Sequence, residues 1–338
     1  MKNERVSLVI PGRNCRGTIR PCLSAVVPLL EDRGSRLDEI LFVDDGSTDD
    51  TPQIVREFPV GLIPGTGAGP GAARNLGWQT AAHSLIWFID SDCVAEPDAL
   101  RLLLPHMEDA RIGGVSGSYG IMNPESLLAC LIHEEIIERH GRMPGRVDFL
   151  ATFNVLYRRS VIEEVGGFDE RYLKAQDAEL SFRVMNAGYD LGFEFGSRVK
   201  HYHESQWLKY LKTQQQQGYW RVWLHMAYPG HSAGDSYSGA LDHVQPPLAV
   251  LSLAALPLLF VPHGWPVAPA LVLLLLLVQL PLAARLLRRL RRPRYLLFAV
   301  MSFLRAYWRG LGMTRGMLVY LFRRARRPGR QERGRPRG

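Results

Sequence analysis

The feature that most constrains this chain is a five-residue apolar run, Leu85-Ile86-Trp87-Phe88-Ile89, that ends abruptly in Asp90-Ser91-Asp92. Five apolar residues in succession predict a strand buried on both faces, as in a parallel sheet covered by helices. Two carboxylates cannot follow such a strand into a core, because an unpaired buried charge is costly to desolvate. They must emerge at the strand's carboxyl end, the edge where an open α/β sheet binds ligands. There, two neighbouring acids can share a cation with an anionic ligand. A solvated acidic turn is the plainer alternative.

The surrounding pattern supports such a sheet. Residues 6–11 form a β-branched run closed by Pro-Gly, and 19–30 carry apolar positions at helical spacing. A second strand over 40–43 runs into Asp44-Asp45-Gly46, and Thr51-Pro52 opens a helix through 58, proline suiting a first turn. Residues 61–63 read as a third strand, 65–71 as a glycine-rich loop and 72–82 as a helix. This alternation predicts an α/β class with a mostly parallel sheet flanked by helices. Beyond it come a helix over 99–107, a strand over 113–119 and a helix over 127–140. The last carries HEEIIERH, whose histidines lie seven apart where a zinc helix needs four, so it reads as a solvated or substrate-facing acidic helix.

The net charge of +8 is unevenly placed. Residues 285–338 hold 17 arginines and one acid, which leaves 24 basic against 32 acidic residues in 1–284. The bulk of the protein is therefore acidic, and no nucleic-acid partner is expected from its pI. The four cysteines form no CxxC pair, which predicts structural thiols in a reducing compartment. No signal peptide is expected, since MKNERVSLVIPG leads straight into a strand.

Residues 246–284 contain no Lys, Arg, Asp or Glu. Two apolar runs, 247–261 and 266–284, flank His263-Gly264-Trp265, and an arginine cluster over 285–294 follows them. The expectation is a transmembrane hairpin with its basic flank on the cytoplasmic side, against the alternative of a core hairpin. The first run is short for a span. Residues 285–322 read as basic interfacial amphipathic helices around Arg305, Arg309 and Arg315. Residues 323–338 read as a disordered Arg-rich tail drawn to anionic headgroups of membrane lipids.

Three acidic clusters carry the candidate chemistry: Asp44/Asp45, Asp90/Asp92 and Asp177/Glu179. Between the first two lies GTGAGPGAARNLGW, whose glycines admit close backbone approach and whose Arg74 can pair with phosphate. The dinucleotide fingerprint in its usual setting and the Walker GK[ST] are both absent.

VSLVIPGRN, LFVDDGSTDDT, GPGAARNLGW, WFIDSDC and FNVLYRRSVIEEVGGFDERYLKAQDAELSFRVMNAGY, in that order over about residues 5–205, resemble the successive motifs of family 2 glycosyltransferases of the GT-A fold. The resemblance implies a GT-A (Rossmann-like) mixed, mostly parallel sheet over 1–245, with a nucleotide-sugar half to about 95 and an acceptor half after it. It implies a nucleotide-diphosphate sugar of UDP or GDP type, bound by Pro11, Asn14, Asp44, Asp45, Arg74 and Asp90. A Mg²⁺ or Mn²⁺ ion would sit on Asp90 and Asp92, with His203 a further candidate ligand. Asp177 matches the general base of an inverting transfer, and Phe153, Asn154 and Gln176 fall at the acceptor site.

The chain departs from the family at Arg13, where Tyr or His is common, and at Gln176, where Glu usually precedes the base. QQQQGYWRVW over 214–223 lacks the QxxRW order of processive synthases. One sugar per event is therefore expected, passed to a lipid-linked or envelope saccharide acceptor at the cytoplasmic membrane face. A polyprenyl-phosphate sugar synthase, a processive polysaccharide synthase and a catalytically silent GT-A membrane scaffold are the alternatives.

Overall fold

The structure is a computed structural model and describes residues 4–231 and 235–325. Among these, nine strands form one sheet: β1 Val6–Gly12, β2 Leu37–Asp44, β3 Gly61–Pro64, β4 Leu85–Ile89, β5 Cys93–Ala95, β6 Ile112–Ile121, β7 Arg146–Val147, β8 Asn154–Arg158 and β9 Asp190–His201. Their order is β3-β2-β1-β4-β8-β6-β9-β5, with β7 on β9. The first four pair parallel, β8 runs antiparallel to β4 and β6, and β6 and β9 are parallel. The sheet is thus mixed and mostly parallel over β1–β4, as the alternation of strands and helices predicts.

Successive side chains of a strand point to opposite faces, and both faces are packed here. Leu8, Ile10, Phe42 and Trp87 join α1 (Ile19–Val26) in one cluster. Val9, Val43, Ile86 and Phe88 form another. After α2 (Thr51–Val55), helix α3 (Pro70–Thr80) covers this second face. Further along, α4 (Ala99–Leu103) lies with the first cluster. α5 (Leu127–His140) and α6 (Arg159–Glu164) follow, and α7 (Gln176–Asn186) joins the second cluster through Leu180 and Val184. Helices α2 and α4 are shorter than their periodicity suggests, and α4 passes into a 3₁₀ turn over Leu104–Glu108.

The described chain divides into two compact units. The first holds residues 4–207 and 235–239 with Arg288–Arg291, and the second holds residues 208–231, Ala240–Leu287 and residues 292–325. The expected domain limit at 245 and this limit at 207 do not coincide, because α8 (Trp207–Ala227) groups with the later helices. Within the second unit, a Cβ on Gly218 would lie 3.0 Å from the Arg309 carbonyl carbon, so two helices approach at backbone distance. Arg309 Nε donates to Gln214 Oε1 at 2.7 Å across the same contact.

Helix α9 (Ala240–Ala254) continues through a 3₁₀ turn, giving a 20-residue apolar stretch Leu241–Phe260 of mean hydropathy 1.5. Helix α10 (Val267–Leu290) has 24 residues and a mean hydropathy of 2.4. Both are long and apolar enough to cross a bilayer. The first is longer than its uncharged run because the helix begins before Pro246. Of residues 285–322, expected as basic interfacial amphipathic helices, 285–290 continue α10 and most of the rest form one helix, α11 (Leu297–Ala325). Arg305 on it is buried rather than interfacial, donating to Ser302 Oγ at 2.9 Å and Tyr210 Oη at 3.4 Å. The Arg-rich tail beyond 325 lies outside the described residues.

Candidate active site

Parallel pairing of β1, β2 and β4 sets their carboxyl ends side by side, and the loops leaving them carry the acids. Gly12 pairs with Asp44, and Asp45 N donates to Gly12 O at 2.9 Å. Pro11 is buried at the end of β1. Asn14 has φ 52, a left-handed conformation that asparagine tolerates. Its Oδ1 accepts from Thr48 N at 2.7 Å and its own N–H donates to Ser47 Oγ at 2.9 Å, binding the first loop to the second. Asp44 Oδ1 in turn accepts from Ser47 N at 3.1 Å.

Asp45 is buried. Its Oδ2 accepts from Gly69 N at 2.9 Å, and its Oδ1 has no partner among the described residues. Gly69, at φ 106, precedes α3 in a conformation open to glycine alone without strain. Arg74, one turn into α3, is 4% exposed and donates from Nη2 to Asp90 Oδ1 at 2.5 Å. Its Nε and Nη1 are likewise unpartnered. Buried polar atoms left unsatisfied cost about 1–3 kcal/mol each, so a spare carboxylate oxygen and two spare guanidinium N–H groups at one sheet edge point to a polar ligand.

Asp92 sits beside the strand pairing of β5 with β9, where Cys93 faces His201. That register puts His201 Nε2 at 3.3 Å from Asp92 Oδ2. Burial pushes the Asp92 carboxyl up, but the hydrogen bond and charge of His201 outweigh it and hold the group below its usual range. In His201 burial acts downward, and Asp92 more than reverses it. Ligand atoms of Asp92, Cys93 and His201 lie within 4.8 Å of one another. Burial pushes the Cys93 thiol well up, so it stays protonated, and the donors left are a carboxylate and an imidazole. With Asp90 adjacent, that set fits a hard divalent ion such as Mg²⁺ or Mn²⁺.

His203, the histidine expected as a ligand, is displaced from that role. It is buried, with Nδ1 at 3.1 Å from His201 Nδ1 and Nε2 at 3.4 Å from His133 Nδ1. Burial, reinforced by nearby positive groups, pushes His203 down to about 2 and His133 to about 4, so both rings are neutral. His201 and His203 share strand parity, and only the β5–β9 register tells them apart.

Asp177 lies in the first turn of α7, after Ala175 at φ 63. A non-glycine residue there is strained, and such strain gathers at functional sites. Asp177 Oδ1 accepts from Ala178 N at 2.9 Å. Burial raises its pKa above the ordinary carboxylate value, against the opposing pull of that N–H and of Arg74. Gln176 is buried with Oε1 unpartnered, and a Cβ on Gly71 would lie 2.8 Å from that atom, so α7 and α3 meet closely at their starts. Glu179, grouped with Asp177 by sequence, instead accepts from Arg183 at 2.6–2.7 Å and braces its own helix.

Phe153 and Asn154, expected at the acceptor site, lie inside the core. Trp87 Nε1 donates to Asn154 Oδ1 at 2.9 Å, and Asn154 Nδ2 donates to Ser197 Oγ at 3.0 Å. The Phe153 ring stacks on Tyr119 at 3.5 Å. Both side chains join strands rather than line a cleft. The acidic face of α5 is also tied down: Glu135 is buried against Arg139 at 2.7 Å, and Glu138 pairs with Arg142 at 2.5 Å. The four cysteines are buried, and none is in a disulfide.

With this geometry in place, comparisons with known proteins place part of the chain. Residues 7–166 match the model described as glycosyl transferase family 2. The probable glycosyltransferase YdaM of Bacillus subtilis is 34% identical over 206 residues, 56% of this chain and 48% of that protein. The O-antigen chain rhamnosyltransferase RfbN of Salmonella typhimurium is 25% identical over 213 residues, 59% of this chain and 67% of that protein. The chain spans about half the length of several of the curated relatives it matches. In fold, it resembles the mannosyltransferase PcManGT of Pyrobaculum calidifontis in complex with GDP-Man and Mn²⁺, with TM-score 0.59 and 18% identity over 93% of this chain and 87% of that one. The strand-end acids, the sheet that aligns them and the matched motifs agree: residues 7–166 of this chain match glycosyl transferase family 2, and its first unit has the GT-A fold.

Proposed function

We propose that the protein transfers one sugar per event, with inversion, from a nucleotide-diphosphate sugar to a lipid-linked or envelope saccharide at the cytoplasmic face of a membrane. The observation that carries this reading is Arg74, buried against Asp90 with two N–H groups unsatisfied. A guanidinium poised in that way suits a diphosphate. The GDP-Man in PcManGT and the O-antigen role named for RfbN support the donor and acceptor classes. The apolar α9 and α10 support membrane attachment.

On this reading, Asp45 Oδ1 accepts from the nucleoside, with Asp44, Pro11 and Asn14 shaping the loop around it. Arg74 donates its free N–H groups to diphosphate oxygens. Asp90, Asp92 and His201 would hold a Mg²⁺ or Mn²⁺ ion, which when bound supplies positive charge to the departing diphosphate. Asp177, its basicity raised by burial, takes the proton from the acceptor hydroxyl as that oxygen attacks the anomeric carbon. A single displacement at that carbon inverts its configuration. Gln176 lies beside the base and would contact the acceptor.

Isothermal titration of the purified protein with UDP and with GDP, each with and without Mn²⁺, tests the donor half of the proposal. One of the two should bind, more tightly with Mn²⁺, and Arg74→Met should weaken it. Failure of both nucleotides to bind under either condition overturns the reading.

A further inference from the structure

Three histidines from two parts of the chain form a line that ends at Asp92. His201 closes β9, His203 lies two residues beyond it, and His133 sits on α5. The contacts run from Asp92 Oδ2 to His201 Nε2 at 3.3 Å, from His201 Nδ1 to His203 Nδ1 at 3.1 Å, and from His203 Nε2 to His133 Nδ1 at 3.4 Å. The backbone of the middle histidine is held independently of its neighbours. Asn123, itself buried, donates from Nδ2 to His203 O at 2.7 Å and accepts from His203 N at 3.1 Å. Tyr119 meets the rings of His201 and His203 edge to face, at 5.2 and 5.6 Å.

This arrangement has a direction. An imidazole that offers Nε2 to a cation must carry its hydrogen on Nδ1. The hydrogen-bond partner of His201 Nδ1 among the described residues is His203 Nδ1. His203 must then accept at Nδ1 and carry its own hydrogen on Nε2, where His133 Nδ1 receives it. Each neutral ring thus fixes the tautomer of the next.

We propose that His203 and His133 are positioning residues: when a divalent cation is bound, their ring-to-ring hydrogen bonds hold the hydrogen on His201 Nδ1 and so leave the Nε2 lone pair of His201 free for the cation that the Asp92 carboxylate shares. The inference rests on the metal reading given under the proposed function, and goes beyond it in naming what orients the imidazole. Partners of this kind commonly contribute 10–100-fold to metal affinity through the ligand they orient.

The test is Mn²⁺ binding to the full-length protein, followed by the loss of the free-ion EPR signal, for the wild type and the variants His201→Ala, His203→Phe, His203→Asn and His133→Phe. Circular dichroism and a thermal melt of each variant check that it is folded. His203→Phe keeps a ring against Tyr119 and removes both hydrogen bonds; Mn²⁺ affinity should fall about 10-fold. His203→Asn restores an acceptor near the old Nδ1 and should recover most of that loss. His133→Phe should fall between the two. Nitrogen-15 NMR of the wild type in Mg²⁺ supplies a readout independent of folding, and should show His203 with its hydrogen on Nε2.

If His203→Phe binds Mn²⁺ as the wild type does while His201→Ala does not, the inference fails and the metal site stands. If His201→Ala also binds normally, the metal reading fails with it. A hydrogen on His203 Nδ1 in the NMR spectrum overturns the inference directly.

Discussion

In the first unit the largest apolar side chains, among them Trp87, Phe42 and Phe88, are fully buried between the sheet and its helices. In α10 of the second unit Leu273, Leu277 and Leu280 are each about half exposed. Only 33% and 22% of the most apolar windows of the two candidate spans are buried, the reverse of a core helix in a water-soluble domain. Apolar surface on that scale calls for a lipid or protein covering. The first unit holds Asp45 and Arg74, with unsatisfied polar atoms, at one sheet edge, whereas the second leaves its leucines outward. This contrast fits the proposed division of labour, chemistry in the first unit and attachment in the second.

The sharpest way to break this comparison is Asp177→Asn. It should lower transfer about 1,000-fold, in the range for loss of a general base, and leave membrane association untouched. Burial raises the Asp177 pKa in the folded state. The stability tied to that group is therefore fully present at low pH and lost as pH rises through the folded value. Asp177→Asn should accordingly raise the thermal midpoint at pH 7 rather than lower it. By the same sign, the transfer rate of the wild type should fall as pH drops through a value above the ordinary carboxylate range, which a pH–rate profile reads.

Next in size, Asp92→Ala should cost about 100-fold in transfer at limiting Mn²⁺, with part of the loss recovered at high Mn²⁺. Arg74→Met should raise the donor KM about 10-fold, the worth of a charged hydrogen bond to phosphate, with a smaller change in kcat. The smallest chemical effect should come from the second unit. Leu277→Asp should shift protein from the membrane pellet to the supernatant while nucleoside diphosphate binding stays within about 2-fold, because a charge near the centre of a span costs about 3 kcal/mol. If Leu277→Asp abolished nucleotide binding, the division of labour would be wrong.

The strand-end acids were legible in the sequence because a buried strand and an adjacent charge impose opposite demands on one short segment. Asp44, Asp45, Arg74 and Asp90 accordingly meet at one edge of the sheet. What pairs with Asp92 was not legible. That depends on the three-residue strand β5 and its register with β9, and β5 has too few residues for a periodicity. Asn154 misled for a related reason. A polar residue at a motif position reads as a ligand contact, yet its amide satisfies Trp87 and Ser197 within the core. Arg305 shows the same limit in the second unit, where a helix-spaced arginine proved to be buried among polar side chains.

The most direct test of the central claim is a donor panel. Purified full-length protein is incubated with Mn²⁺, membrane lipid extract and a set of UDP- and GDP-sugars, and released nucleoside diphosphate and labelled lipid product are measured together. The account predicts Mn²⁺-dependent release with a matching labelled product for at least one donor, lost in Asp177→Asn. Release and labelling that persist undiminished in Asp177→Asn, or their absence with every donor, would contradict it.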